Sequence, residues 1–254
     1  MGVNKEDAYQ CALCMDLTAD CFQFAILNPK TKKIISRKRF ELSTYSKDEL
    51  ADLLKDELFG YEYLNYSLTT GTIRNTLIPV DLFSFSKPKE IFKLNYPEPF
   101  ENLDYNRIPE LGIVNIYEVP LWIKSLFVIK FPRIKIVHRS TALLKGVFDL
   151  PTFSPKLHLL IDEKGFYLLL TQKSKLVYFN HFDYKELSDI IYFVHFVLEQ
   201  KELDQSDFDI HLYGQKENWK GLKVLQDHFA SKIKIANEAE TAEDFLLAKQ
   251  LLCV

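Results

Sequence analysis

Two acids and a few small residues carry the chemical interest of this chain. Asp16 closes an apolar run in CALCMDLTAD, and Asp162 closes another in HLLIDEKGFYLLLTQ. Thr18 and Asp20 follow the first acid; Glu163, Lys164 and Gly165 follow the second. An acid behind a buried strand either faces the phosphates of a nucleotide or simply ends the strand. Single glycines stand in Thr70-Gly71-Thr72 and Tyr213-Gly214-Gln215, where a polar turn explains them equally well. Cys11 and Cys14 have the CxxC spacing of metal and redox pairs. In a strand that odd separation points them to opposite faces, and no second pair supplies further ligands, so both read as core cysteines. His138 and His158 fall in strand-like runs and His195 in an apolar helical stripe, with His181, His211 and His228 elsewhere. No HxxxH or HExxH spacing joins them, and they read as structural or surface histidines. Asp207 and Asp209 flank Phe208 and read as edge charges. There is no GxSxG elbow and no Walker A loop.

The elements that would position these residues come in two similar sets. Residues 11–17, 21–28 and 33–40 read as three strands. SKDELADLLKDELF follows as a helix with Leu50, Leu53, Leu54 and Leu58 on one face and a capping box at Ser46 and Glu49. Residues 61–69 read as a fourth strand. The second set runs LHLLID, GFYLLLTQ and KLVYFNHF, with a hairpin turn at Lys173-Ser174. YKELSDIIYFVHFVLEQ then reads as a helix and FDIHLYG as a strand. ENWKGLKVLQDHF, KIKIA and AETAEDFLLAKQLLCV read as helix, strand and closing helix. Three hairpin-linked strands make an antiparallel edge, and the helical crossover favours a parallel fourth strand. Local similarity between LCMDLTADCFQFAILN and LLIDEKGFYLLLTQ aligns Asp16 with Asp162.

Between the sets, Pro79, Pro88, Pro97, Pro99 and Pro109 break up long elements, and residues 79–110 read as an irregular insertion. GIVNIYEVP reads as a strand, PLWIKSLFVIKF as a helix, IKIVHRS as a strand and TALLKGVFDL as a helix capped by Ser140-Thr141. Phe83, Phe85, Phe92, Tyr96, Phe100 and Tyr105 gather in the insertion, for packing against the body or for a partner surface.

Bulk properties narrow the classes. The chain is 47% hydrophobic with 20 Phe and 13 Tyr, which argues against extended disorder; its 8 Gly argue against several glycine-rich phosphate loops. Charges are mixed and sum to -3, so no basic field for a nucleic-acid backbone is expected. The apolar run in SDIIYFVHFVLEQ is too short for a membrane span, MGVNKEDAYQ is polar, and a cytoplasmic chain is the expectation.

The doubled order strand–strand–strand–helix–strand resembles the duplicated ribonuclease-H-like fold of actin-like ATPases. The chain looks most similar to an uncharacterised family of Bacteroidetes proteins thought to share that fold. The insertion IPVDLFSFSKPKEIFKLNY places it nearest the pilus-assembly and cell-division branch. The resemblance implies an α/β chain with two mixed five-stranded sheets flanked by helices. It is divided at residues 1–156 and 157–254, with the insertion in the first half. It also implies that Asp16 and Asp162 meet across a shared cleft, where an acid orders metal and water while glycine admits backbone N–H groups to phosphate. Asp16, Thr18, Asp162 and Gly165 match the two phosphate loops, and Gly214 the adenosine segment. The match is degenerate: no glycine follows Asp16, Asp20 and Glu163 add negative charge, and Gly214 stands alone. Asp81 and Glu118 are loose candidates for a water-activating acid. The expectation is therefore a non-catalytic scaffold or interaction module that needs no cofactor and binds a protein or itself through aromatics in 83–105. The alternative is an ATP-binding switch or ATPase using Mg²⁺.

Overall fold

The computed structural model describes residues 3–71, 74–84, 87–148, 153–162, 165–204, 208–214, 219–229, 233–236 and 241–254. The chain divides into two compact units, Met1–Gly146 with Leu246–Val254, and Val147–Phe245. The sequence reading set the division later, after residue 156, and gave the whole tail to the second half. The physical reason for the difference is apolar: Leu247 is wholly buried in a cluster with Ala12, Cys14, Ala25 and Leu27.

The first unit is built on β1 (Ala12–Leu17), β2 (Cys21–Asn28), β3 (Lys33–Glu41), β4 (Asn65–Thr70) and, later in the chain, β8 (Lys135–His138). They lie in the order β3-β2-β1-β4-β8, with β1, β2 and β3 antiparallel and β4 and β8 parallel to β1, as the crossover rule requires. Every residue of β1 is buried, so its alternation is between two covered faces. Leu13, Met15 and Leu17 meet α1 (Lys47–Leu53) and α3 (Leu121–Lys130) through Leu50, Ile123 and Phe127. Burying side chains of this size stabilises by about 1.5–3 kcal/mol each. Ser46 caps α1 by accepting from the Glu49 N–H, while the Glu49 carboxylate accepts from the Ser43 and Thr44 N–H groups, which lowers its pKa.

The insertion is more ordered than its sequence suggests. β5 (Asn75–Pro79), β6 (Leu103–Ile108) and β7 (Ile113–Glu118) form an antiparallel sheet in the order β5-β7-β6, with α2 (Pro88–Lys93) against it. Phe92 is fully buried beside Val114 and Ile116, and Phe83, Tyr96 and Phe100 pack around them. Those aromatics build a small core, and Tyr105 is the one large exposed aromatic among those described in 83–105. Phe85 lies outside the described residues.

The second unit repeats the first. β9 (Lys156–Ile161), β10 (Gly165–Gln172), β11 (Lys175–Asp183), β12 (Asp209–Tyr213) and β13 (Ile233–Ala236) lie in the order β11-β10-β9-β12-β13. α5 (Leu187–Gln200) and α6 (Lys220–Phe229) cover one face, and α7 (Ala242–Lys249) carries the chain back to the first unit. Lys173 and Ser174 both have positive φ, the conformation of a two-residue hairpin turn. The repeat extends to irregularities: the β2–β3 register shifts after Ile26 and the β10–β11 register after Leu170. Among the described residues no helix is long and apolar enough to cross a membrane.

Candidate functional site

Asp16 occupies the same sheet face as Cys14, and strand pairing supplies its neighbours. β2 sets Gln23 opposite it and β4 sets Thr69 opposite it. Thr69 Oγ1 donates to Asp16 Oδ1 at 2.6 Å, and Gln23 Nε2 donates to Oδ2 at 3.0 Å. Arg139, the first residue of α4 (Arg139–Val147), brings Nε to 3.1 Å from Oδ1. The space for that side chain comes from Gly71, where a Cβ would lie 2.8 Å from Arg139 Cδ and 2.9 Å from Thr18 Cγ2. From the C-terminal 3-10 turn, Gln250 Nε2 donates to Thr69 Oγ1 and to the Met15 carbonyl, both at 2.9 Å, while its Oε1 accepts from Ser67. Asp16 is 2% exposed and Gln250 wholly buried.

A carboxylate offers about four lone-pair positions. Here two protein donors hydrogen-bond it, the Arg139 guanidinium stands at ion-pair distance, and nearly all of its surface is covered. Its charge is met by a guanidinium where a metal-binding acid would present free oxygens. These residues therefore do not fit a magnesium–nucleotide group at Asp16. Among the described residues there is no group of three His, Cys, Asp or Glu side chains placed to hold a metal ion.

Thr18 serves its own turn: the N–H donates to the Cys21 carbonyl at 2.9 Å, and the hydroxyl lies within bonding distance of Asp20 and of the same carbonyl. The second hairpin closes in the same way, with the Asp162 N–H donating to the Gly165 carbonyl at 3.0 Å. Leu17 pairs with Phe22, and Ile161 with Phe166. The structural counterpart of Thr18 is thus Asp162, and that of Asp16 is Leu160, a shift of two residues from the sequence alignment. Asp162 Oδ1 accepts from the Gly165 N–H at 2.8 Å and its carbonyl from Tyr184 at 2.9 Å. It ends the strand. A Cβ on Gly165 would lie 2.6 Å from the His181 ring, so this glycine makes room for a side chain. Gly214 has φ of +67°, and a Cβ there would collide with the backbone at the start of α7. Glu163, Lys164, Gln215, Thr72 and Asp207 lie outside the described residues.

Where the first unit has Gln23 and Thr69 beside Asp16, the second has Tyr167 and Tyr213 beside Leu160. The polar group of this face is His158 instead. Its Nδ1 bonds to Tyr213 Oη and its Nε2 to Thr171 Oγ1, both at 2.9 Å, and His211 sits opposite it on β12. Burial, then His211 and Lys156, push its pKa down to about 3, and burial also lowers that of His211. His158 is neutral in the fold but takes a proton near pH 6.5 when unfolded. Its contribution to stability is therefore complete above that pH and lost as pH falls towards 3. By pH 5 the loss is about 2 kcal/mol. Urea unfolding at pH 7.5 and 5.0 is expected to show this drop, and His158→Gln to remove most of it; an unchanged slope in the variant would refute the assignment.

The histidine that sequence spacing left unpartnered in the first unit belongs to another buried network. His138 Nδ1 lies 2.6 Å from Ser140 Oγ and accepts from the Ser140 N–H at 3.2 Å, so His138 caps α4 in place of the expected Ser140. Asn106 Oδ1 accepts from the His138 N–H and from Thr141 Oγ1, and Asn115 Nδ2 donates to Ser140 and Thr141. The Ser–His contact resembles a nucleophile and base, but both residues are buried among these donors. The network fastens the inserted sheet to the β8–α4 junction. Cys11 and Cys14 pack in separate clusters, as their spacing implied. Burial pushes the Cys14 thiol up to about 12, leaving it protonated. Asp81 and Glu118 stand apart from Asp16: Asp81 is exposed, and Glu118 lies 3.5 Å from Arg74.

Two five-stranded sheets of the same strand order, with an inserted three-stranded sheet, define an actin-like ATPase fold. The chain belongs to the family described as "Protein of unknown function (DUF3822)", whose model matches residues 2–231. It is similar to a Bacteroides thetaiotaomicron protein of actin-like ATPase fold and unknown function, at 21% identity over 100% of both chains and a TM-score of 0.83. A PilM–PilN type IV pilus biogenesis complex matches at 12% identity, 95% of this chain and 98% of that one, TM-score 0.60. The ethanolamine utilization protein EutJ of Carboxydothermus hydrogenoformans matches at 7% identity, 94% and 89% coverage, TM-score 0.53. No curated protein matches.

Proposed function

We propose that this chain is a non-catalytic actin-like scaffold that works by binding protein. One observation carries the reading: Asp16, the acid that the fold uses to order metal and water, is enclosed and paired with Arg139. The second hairpin supports it, since Leu160 stands where a matching acid would be needed. Partner binding has a precedent in the similar pilus structure, which is a PilM–PilN complex.

The test is thermal unfolding with millimolar ATP and Mg²⁺. A ligand at a hundred times its Kd adds about 2.7 kcal/mol to the native state. That would lift Tm by several degrees in a chain of this size. No shift is expected. A saturable rise that Asp16→Ala abolishes would overturn the scaffold reading in favour of an ATP-dependent switch.

A further inference from the structure

Two helices carry apolar side chains that nothing among the described residues covers. α3 is apolar nearly all round, a pattern of helices buried on every side. Its inner face holds Ile123 and Phe127, yet Leu121, Val128 and Ile129 on the outer face are 60%, 40% and 81% exposed. Their spacing places them along one stripe. α5 behaves similarly in the second unit. Ile190, Val194 and Val197 face the core, while Tyr192 and Phe196 stand outside at 63% and 40% exposure, their rings stacked 6.3 Å apart. Exposed aromatics held in one geometry are common anchors at protein interfaces.

The charges around the two stripes are opposite. α3 contains Lys124 and Lys130 and no acid, and exposed Arg133 and Lys135 follow it. α5 contains Asp189 and Glu199 and neither Lys nor Arg; exposed Glu202 and Asp204 follow it with a single cation, Lys201, between them and Glu199, so this end stays net acidic. An aliphatic stripe with a basic end thus matches an aromatic ledge with an acidic end. Such complementarity steers association and sets register.

We propose that α3 of one copy docks on α5 of a second copy, with Val128 and Ile129 against Tyr192 and Phe196 and Lys130 and Arg133 near Glu199 and Glu202. This names the partner left open by the scaffold reading and rests on it. Because two different surfaces meet, the pair as a whole keeps one α3 and one α5 surface free, one on each copy.

Mixing tests this directly. Val128→Asp with Ile129→Asp disables the α3 stripe, and Tyr192→Asp with Phe196→Asp disables the α5 ledge. The replaced residues are exposed, and an unchanged circular dichroism spectrum checks that each variant folds. By analytical ultracentrifugation the wild type is expected to associate above its 29.8 kDa monomer mass with rising concentration. Each variant alone should stay monomeric. Their equimolar mixture should form a one-to-one complex, because one intact α3 and one intact α5 surface remain. Wild type that stays monomeric to ~100 μM, a range reaching well above micromolar affinity, would overturn the proposal, as would variants that still associate or a mixture that does not. A lipid or unrelated protein covering these stripes would give the monomeric result. ATP binding reads on the scaffold reading alone, so the two failures are distinguishable.

Discussion

Replacing Arg139 by Met is expected to destabilise the first unit by about 3–5 kcal/mol. Removing one member of a buried ion pair leaves the other charge without its partner, which costs far more than the pair itself contributes. Asp16 is nearly inaccessible to water, so its charge has no solvent to turn to. Asp16→Asn alone should also destabilise, since the guanidinium then loses its carboxylate. Asp16→Asn combined with Arg139→Met removes both charges and should recover at least half of the loss. Gln23 can turn its amide in that variant, offering its otherwise unbonded Oε1 to the new asparagine. Urea unfolding followed by Trp122 fluorescence, with Trp219 replaced by Phe, reads the first unit. The result separates two roles for Asp16. An acid held in readiness for a cation is a liability in the free chain, and neutralising it stabilises. An acid serving the core destabilises when neutralised. Additive single effects, with no recovery in the double variant, would show that the pair is not coupled.

Gly214→Ala is expected to cost the second unit about 3 kcal/mol. Two terms combine. A non-glycine residue at φ of +67° is strained by about 1 kcal/mol, and overpacking typically adds 1–3 kcal/mol. The neighbours that must yield are backbone atoms of Thr241 and Ala242 at the start of α7, not the end of a flexible side chain. Thr241 Oγ1 also accepts the Asp244 N–H there, so moving the backbone disturbs the helix cap. Trp219 fluorescence, with Trp122 replaced by Phe, follows this unit. A glycine kept for the approach of a nucleotide would accept a methyl group in the ligand-free chain with little loss. Wild-type stability in Gly214→Ala would therefore restore Gly214 as a ligand-facing candidate.

Much of the fold was legible because it rests on local periodicity. Short apolar runs in CALCMDL and LHLLI mark buried strands, 3.6-residue spacing in KDELADL and SDIIYFVHFVL marks helices, and the repeated order identifies the duplication. The inserted sheet was harder to see. In LDYNRI the buried positions are Asn106 and Ile108, so a polar residue stands where alternation needs an apolar one. Asn106 is tolerated there because His138, Thr141 and Tyr117 satisfy its amide, contacts that local pattern does not reveal. β5 is short and ends on Pro79, which reads as a break.

The chain's amino-acid order by itself determined the doubled layered unit, its edge hairpins and the poverty of its phosphate loops, since these follow from side-chain type and spacing within a few residues. Only the tertiary structure decided what Asp16 does. Its partners come from β2, β4 and α4, with the C-terminal turn behind them, and strand register selects them across long stretches of chain. Register also moved the counterpart of Asp16 from Asp162 to Leu160. Similar letters can be aligned two residues away from where paired backbones set them, and in a sheet that distance separates a buried ion pair from a turn.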